Sequence, residues 1–336
     1  MSVLLSPPRS REPQFDDAES ASVVIGLVNN MADGALRSTE RQFCELLAAA
    51  SRGFTVLLRL FSLPELARGA TGRSHIKQSY VDISELWTSR IDGLIVTGTE
   101  PRAPALVDEP YWQTLTKLVD WAEDHTFSTI WSCLAAHAAV LHLDGIPRRP
   151  LGEKLSGIFD CNKSEDHPIM FRVPCCWRVP HSRFNGLLED ALVSKSYSIL
   201  SSSPQAGADI FLKQRKSLFL FFQGHPEYDP GALLREYRRD CERFVAGKRR
   251  GYPEVPRNYL DDETKAVLVA YRKRALSNPG PDLVSCFPPV AEEELPYGWR
   301  GLAIRLYTNW LSYILDKKAK RLCPTPFPAV EETVGE

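Results

Sequence analysis

The first half of the chain alternates apolar runs with amphipathic stretches. Residues 22–29 (Ser-Val-Val-Ile-Gly-Leu-Val-Asn) form a continuous apolar run, which suits a strand buried on both faces of a parallel sheet. Residues 54–61 and 91–98 are two further runs, the latter ending on Gly98. The segments between them predict helices. Residues 38–51 open on Ser38 and Thr39, residue types that cap helix N-termini. Residues 83–88 suit a short helix. In 111–125, Trp112, Leu115, Leu118, Val119 and Trp121 fall on one helical face. Residues 30–37, and 62–80 with their Pro, Gly, Arg and Ser, read as loops.

A fourth run is followed directly by a helix. Thr129, Ile130 and Trp131 are strand formers, whereas residues 134–143 are almost wholly apolar or helix-favouring, with Ala135, Ala136, Ala138 and Ala139. Asp144-Gly145 supplies a C-terminal glycine stop. Cys133 stands at the strand-to-helix turn. This β-α-β-α-β-α-β order predicts an α/β fold with a doubly wound, mostly parallel sheet and flanking helices. Such sheets bind ligands beyond the carboxyl ends of their strands, so Gly98 and Cys133 should share one crevice.

The second half is more β-rich and irregular. Residues 155–159, 169–173 and 198–201 are short strand candidates, and 208–213 and 217–222 predict adjacent strands around Gln214-Arg215-Lys216. Helices are expected at 231–245, 261–276 and 299–320, with Pro/Gly-rich loops at 246–256 and 277–297. The reading is one domain over residues 21–322 with a loop-helix extension at about 246–297, a disordered tail over 1–20 and a flexible tail over 323–336. No internal repeat is visible.

Composition narrows the function. A net charge of −1 lacks the basic excess expected of a nucleic-acid binder. No apolar run approaches the length of a membrane span, and the N-terminus carries no signal-peptide core. The eight cysteines show neither CxxC pairs nor zinc spacing. No metal or bound cofactor is implied, and reduced thiols in the cytoplasm are the expected state.

Cys133 can be a buried structural cysteine or a nucleophile, because a helix N-terminus favours the anionic form of a thiol. A thiol nucleophile needs a base, and the base an orienting group. His225 ends an apolar strand and lies in a turn, with Glu227 two residues later and Pro226 stiffening the link. Cys133, His225 and Glu227 are therefore a candidate triad. The plainer readings are a satisfied turn histidine and a solvated acid.

Seven segments stand out in order along the chain: Asp92-Gly-Leu-Ile-Val-Thr-Gly98, Tyr111-Trp112, Glu153-Lys-Leu-Ser-Gly157, Pro180-His-Ser-Arg-Phe184, Gly224-His-Pro-Glu-Tyr-Asp229, Glu236-Tyr-Arg-Arg-Asp240 and Thr308-Asn-Trp-Leu311. Their order and spacing together resemble the homoserine O-succinyltransferase family over about residues 23–313. The resemblance implies a fold similar to class I glutamine amidotransferases. It implies that Cys133 takes an acyl group from acyl-CoA, with His225 as base and Glu227 as its partner, and passes it to the L-homoserine hydroxyl in methionine synthesis. Lys154, Ser182 and Arg239 match homoserine-binding positions, although Arg239 alone would read as a helix-surface ion pair. The substrate ammonium is left without an assigned acceptor. The Leu134 N–H is an oxyanion donor candidate, and the loop after Asn29 is another source. A homodimer is the implied assembly.

The chain also departs from the family. Leu134 replaces a bulky aromatic, and His137 stands where glutamine is common. The loop after Asn29 is longer and lacks its usual lysine, for which Arg37 is a substitute. The donor-discriminating position is Arg102, two residues after Glu100. An arginine there could pair with the distal carboxylate of succinyl-CoA; with Arg102 turned to solvent and Glu100 inward, acetyl-CoA would be favoured. Succinyl-CoA is the expected donor, with acetyl-CoA, or acylation of another hydroxy amino acid such as serine, as alternatives. A thiol amidotransferase is disfavoured by Ser132 and Leu134, where glycines usually flank the cysteine. A catalytically dead module would have no chemical reason to keep Cys133, His225 and Glu227.

Overall fold

The structure, a computed structural model, describes residues 3–5 and 22–322. Ten strands form one sheet in the order β1-β3-β2-β4-β5-β10-β9-β8-β6-β7. Strands β1 (Val3–Leu5), β2 (Ser22–Val28), β3 (Thr55–Phe61), β4 (Gly93–Val96), β5 (Ser128–Ser132) and β10 (Leu218–Phe222) run parallel. Strands β6 (Arg149–Lys163), β7 (Cys176–Gly186), β8 (Ser198–Ser203) and β9 (Gly207–Gln214) extend the sheet in antiparallel register. The expected doubly wound α/β sheet is therefore present, with an antiparallel wing.

Apolar sequence explains the centre. Every residue of β4, β5 and β10 is buried. One face is covered by α1 (Asp33–Ala50) and the last helix, α9 (Arg300–Leu322), through Phe43, Leu46, Leu306 and Trp310. The other is covered by α4 (Trp112–His125), α5 (Leu134–Asp144) and the short α6 (Glu189–Ser194), through Leu115, Leu118, Ala135, Ala139 and Leu192. A third core joins α7 (Ala232–Val245) to α8 (Asp262–Ser277) and its flanking loops through Tyr237, Leu268, Tyr271 and Trp299. The extension around 246–297 thus packs on the outer side of α7. It also braces the turn after β10, since Trp299 Nε1 donates to the Tyr228 carbonyl at 2.8 Å.

Five points need correction. Val3–Leu5, inside the stretch expected as a tail, pairs with β3 as an edge strand; residues 6–21 and 323–336 lie outside the described residues. Within 62–80, read as loop, α2 (Ala70–Ser79) forms, followed by the expected short helix α3 (Ile83–Leu86). The start of α2 is held from a distance: Asp33 Oδ2 accepts from the Gly69 N–H at 2.7 Å. No apolar stripe announces this helix, because Gly72 is its only buried residue. Residues 169–173, expected as strand, contain a 3₁₀ turn (Pro168–Met170), where His167 Nδ1 accepts from Ile169 N. Strand β7 went unread. It is the last strand of the sheet, a place where a proline such as Pro180 is tolerated. Helix α1 also begins five residues earlier than expected and takes in Arg37, which is exposed.

Candidate active site

Strand register builds the site. Trp131 is level with Val96 on one side and with Phe221 on the other, so β4, β5 and β10 end together. Gly98, Cys133 and the 223–229 turn therefore leave the sheet at one edge. Cys133 has φ 52° and ψ −111°, a backbone conformation rare for a residue with a side chain. Its N–H bonds the Phe222 carbonyl at 2.7 Å, and its carbonyl accepts from the His137 N–H at 3.2 Å. The polypeptide is thereby folded sharply about the thiol. Leu134 provides the first N–H of α5, which has no acceptor within the helix. Gly98 backs directly onto that amide: a Cβ at position 98 would stand 2.9 Å from the Leu134 nitrogen.

His225, the candidate base, is fixed as firmly. The His225 N–H donates to the Pro180 carbonyl at 2.7 Å. His225 Nδ1 is 2.8 Å from Glu227 Oε1, and the ring stacks on Tyr228 at 4.2 Å between centroids. Its Nε2 is buried and makes no well-aligned hydrogen bond, yet the Cys133 sulfur is close enough to raise the ring's proton affinity. Burial is the largest influence on His225 and acts to lower its pKa. The Glu227 carboxylate and the Cys133 sulfur outweigh it and hold the value well above the ordinary imidazole range. The three residues picked out as a triad are thus brought together, and an imidazolium facing a sulfur can stabilise a thiolate.

Beside Tyr228 lies a half-buried charge cluster centred on Glu236, on the inner face of α7. Glu236 Oε2 accepts from Lys154 Nζ at 3.1 Å and from the Ser182 hydroxyl, and Oε1 from the Tyr228 hydroxyl at 2.6 Å. Burial acts to raise the Glu236 pKa, but Lys154, Arg239, Ser182 and Tyr228 bring it down to about 2. Lys154 also reaches Asp240 at 2.9 Å. Arg239 touches Asp240 at 3.3 Å through Nη2, while its Nε–H is buried without a partner. Lys154, Ser182 and Arg239 therefore converge on one point. Glu236, Asp240 and Tyr228 were not singled out from the sequence, although all lie in the motifs that drew attention to their neighbours.

The remaining candidates sit elsewhere or play other parts. The Arg102 side chain is exposed and has no ion-pair partner among the described residues; only its N–H is engaged, by Glu109. Glu100 is held by Arg243 of α7 through two bonds of 2.6 and 2.7 Å. His137 is buried against Gln223, with Nε2 3.0 Å from Oε1. Burial lowers its pKa to about 4, so it is a neutral packing histidine rather than a second base.

Behind the base lies a buried cluster that sequence reasoning missed. His181, Asp209 and Cys161 approach one another closely beneath Gly224. These are metal-ligand residue types, but Asp209 already accepts from Ser201, Cys161 and the Gly224 N–H, and the buried Arg183 guanidinium lies within electrostatic reach. That donor set fits a hydrogen-bonded clamp on the turn carrying His225 better than a cation site. No sequence spacing could reveal it, because β6, β7 and β9 each supply one member.

A family model described as homoserine O-succinyltransferase matches residues 11–321. A homoserine O-succinyltransferase of Rhodopseudomonas palustris is 48% identical, covering 88% of this chain and 90% of that protein. One of Bradyrhizobium japonicum is 46% identical, covering 92% and 93%. Among solved structures, a glutamine amidotransferase of Methylobacillus flagellatus aligns over 87% of this chain and 95% of its own with a TM-score of 0.49 and 12% identity. By the extent of the family match and by its relatives, the chain belongs to the homoserine O-succinyltransferase family.

Proposed function

We propose that the protein transfers a succinyl group from succinyl-CoA to the hydroxyl of L-homoserine through a thioester on Cys133. The observation that carries this reading is the Cys133–His225–Glu227 line beside the Glu236 cluster, with Tyr228 stacked on His225 and bonded to Glu236. In the first half-reaction the Cys133 thiolate attacks the thioester carbonyl, and the oxyanion meets the Leu134 N–H. The tetrahedral intermediate expels the CoA sulfur, which leaves as the thiol with the proton from His225. In the second half-reaction neutral His225 takes the homoserine hydroxyl proton. The homoserine oxygen then attacks the acyl-cysteine, and Cys133 departs as thiolate. Protons balance over the cycle, and thiolate and imidazolium are restored. Glu227 orients the imidazole and stabilises its charged form.

Homoserine presents an ammonium and a carboxylate. The buried Nε–H of Arg239, unpartnered here, would be satisfied by the carboxylate. Glu236, kept ionised by its neighbours, provides the anion for the ammonium. Lys154, Ser182 and Tyr228 hold Glu236 in place. Donor choice follows from charge. Glu100, the acid that would repel a succinyl carboxylate, is neutralised by Arg243, and Arg102 is a free cation on the same loop. Acyl-CoA is a co-substrate rather than a bound cofactor. A cytoplasmic homodimer acting in methionine synthesis is part of the same reading; none of the described helices is long and apolar enough to cross a membrane.

The test is a matrix of succinyl- and acetyl-CoA against homoserine and serine, following release of free CoA. Succinyl-CoA with homoserine should give the highest kcat/KM. A preference for acetyl-CoA or for serine would replace the donor or acceptor assignment, and no release with any pair would remove the reading.

A further inference from the structure

Helix α7 carries the Glu236 cluster on its inner face and ends in a Schellman cap. Gly247, at φ 69°, donates its N–H to the Phe244 carbonyl, and the Lys248 N–H returns to the Arg243 carbonyl at 2.8 Å. The cap turns the chain back into a short basic strap, Gly247-Lys248-Arg249-Arg250-Gly251. Arg249 anchors it: one guanidinium nitrogen lies 3.4 Å from Asp240, and Nε donates to the Gly251 carbonyl at 2.7 Å. The same guanidinium lies 5.9 Å from the Phe184 ring centroid, and Lys154 Nζ is also 5.9 Å from it. The strap is thus continuous with the acceptor site, through Asp240 on one side and Phe184 on the other.

Two features of this region are unused by the chemistry above. Lys248 and Arg250 are exposed and have no ion-pair partner among the described residues. Phe184 is 50% exposed, a large apolar ring left at the rim of a charged crevice. Around them, Lys154, Arg239, Arg243 and Arg249 face the carboxylates of Glu236, Asp240 and Glu100. The strap cations are therefore in excess over the acids of the crevice. Basic residues at a helix C-terminus often do no more than oppose its dipole, but that role does not call for an exposed aromatic ring beside them.

Resting on the succinyl-CoA reading, we propose that the strap is the seat of the donor's phosphate groups. Lys248 and Arg250 pair with the diphosphate and ribose phosphate of CoA, Arg249 holds the strap to α7, and Phe184 lies under the apolar part of the carrier. The thioester then reaches inward to Cys133, while homoserine occupies the Glu236 side.

The experiment compares succinyl-CoA with succinyl-pantetheine, which keeps the thioester and the pantoyl arm but lacks the diphosphate and the phosphoadenosine, in the unaltered enzyme and in Lys248→Ala/Arg250→Ala. The variant should raise KM for succinyl-CoA about fivefold, as expected for two exposed ion contacts, with kcat and the homoserine KM little changed. The kcat/KM advantage of succinyl-CoA over the truncated donor should shrink by the same factor. Added salt should erode that advantage in the unaltered enzyme and much less in the variant; this arm alone decides the matter if the variant does not fold. An unchanged donor ratio, or an advantage insensitive to salt, overturns the seat and leaves the acyl-transfer reading standing. Turnover of neither donor by the unaltered enzyme removes that reading and the seat with it.

Discussion

The parallel half of the sheet and its antiparallel wing contribute to the site in different ways. In the proposed reading, the parallel half presents the nucleophile through backbone alone. Strand β5 ends, the chain turns at a strained Cys133, and α5 begins, with Gly98 of the neighbouring loop against the Leu134 amide. In the same reading, the wing and α7 supply recognition through side chains that are distant in sequence. Lys154 of β6, Ser182 of β7 and Glu236 of α7 meet only because β6 and β7 pair in the observed register. His225 joins the two, leaving β10 beside Cys133 and bonding back to Pro180 of β7. On the proposed mechanism the geometry of attack is thus local, whereas substrate choice rests on long-range ion pairs that substitution can retune.

Substitutions should separate the two halves. The largest effect falls on the local side: Cys133→Ala should cut acyl transfer by at least about 10⁴-fold while thermal melting is preserved, and turnover near normal would place the nucleophile elsewhere. Glu227→Gln should cost roughly 10³–10⁴-fold in kcat and move the pH profile. The Glu227 carboxylate raises the His225 pKa against burial, so its removal lowers that pKa. The alkaline limb of kcat/KM for succinyl-CoA, where the imidazolium is lost, should then shift to lower pH. Stability follows the same sign. With a folded pKa above the unfolded value of about 6.5, protonated His225 stabilises the fold fully below that pH, and the contribution is lost as pH rises through the folded pKa. Denaturant titrations should show this alkaline loss in the unaltered protein and less of it in Glu227→Gln.

A smaller effect is expected from Gly98→Ala, whose methyl group would crowd the Leu134 nitrogen at 2.9 Å. Disturbing one oxyanion donor should lower kcat by about 10²-fold with KM little changed; an equal loss in both would assign Gly98 to binding. The smallest effect is on the recognition side. Arg102→Glu should penalise succinyl-CoA more than acetyl-CoA, by about tenfold in the ratio of kcat/KM values, and an equal effect on both donors would show that this exposed arginine does not read the acyl group.

The same division explains what could be read from sequence. Residues 22–29, 91–98 and 128–143 announce themselves because a strand buried on both faces must be apolar throughout, and because a strand-turn-helix junction has its own residue pattern. Cys133, His225 and Glu227 were legible as chemistry standing at strand ends. Strand β7 was not, since an edge strand with a central proline and alternating polar residues looks like loop. Nor was α2, whose start depends on Asp33 from another element. The role of Glu236 was hidden for a related reason. On α7 it is one of several charged residues, and only the register of β6 and β7 distinguishes it from Arg238 and Glu242, which pair with each other at the surface.

The central claim is that Cys133 carries the acyl group between two substrates. Intact-mass analysis after mixing enzyme with succinyl-CoA, homoserine being absent, tests it most directly. The expected result is stoichiometric release of CoA and one succinyl group on the peptide bearing Cys133, discharged on adding homoserine. An unmodified protein that releases CoA only once homoserine is present would contradict it.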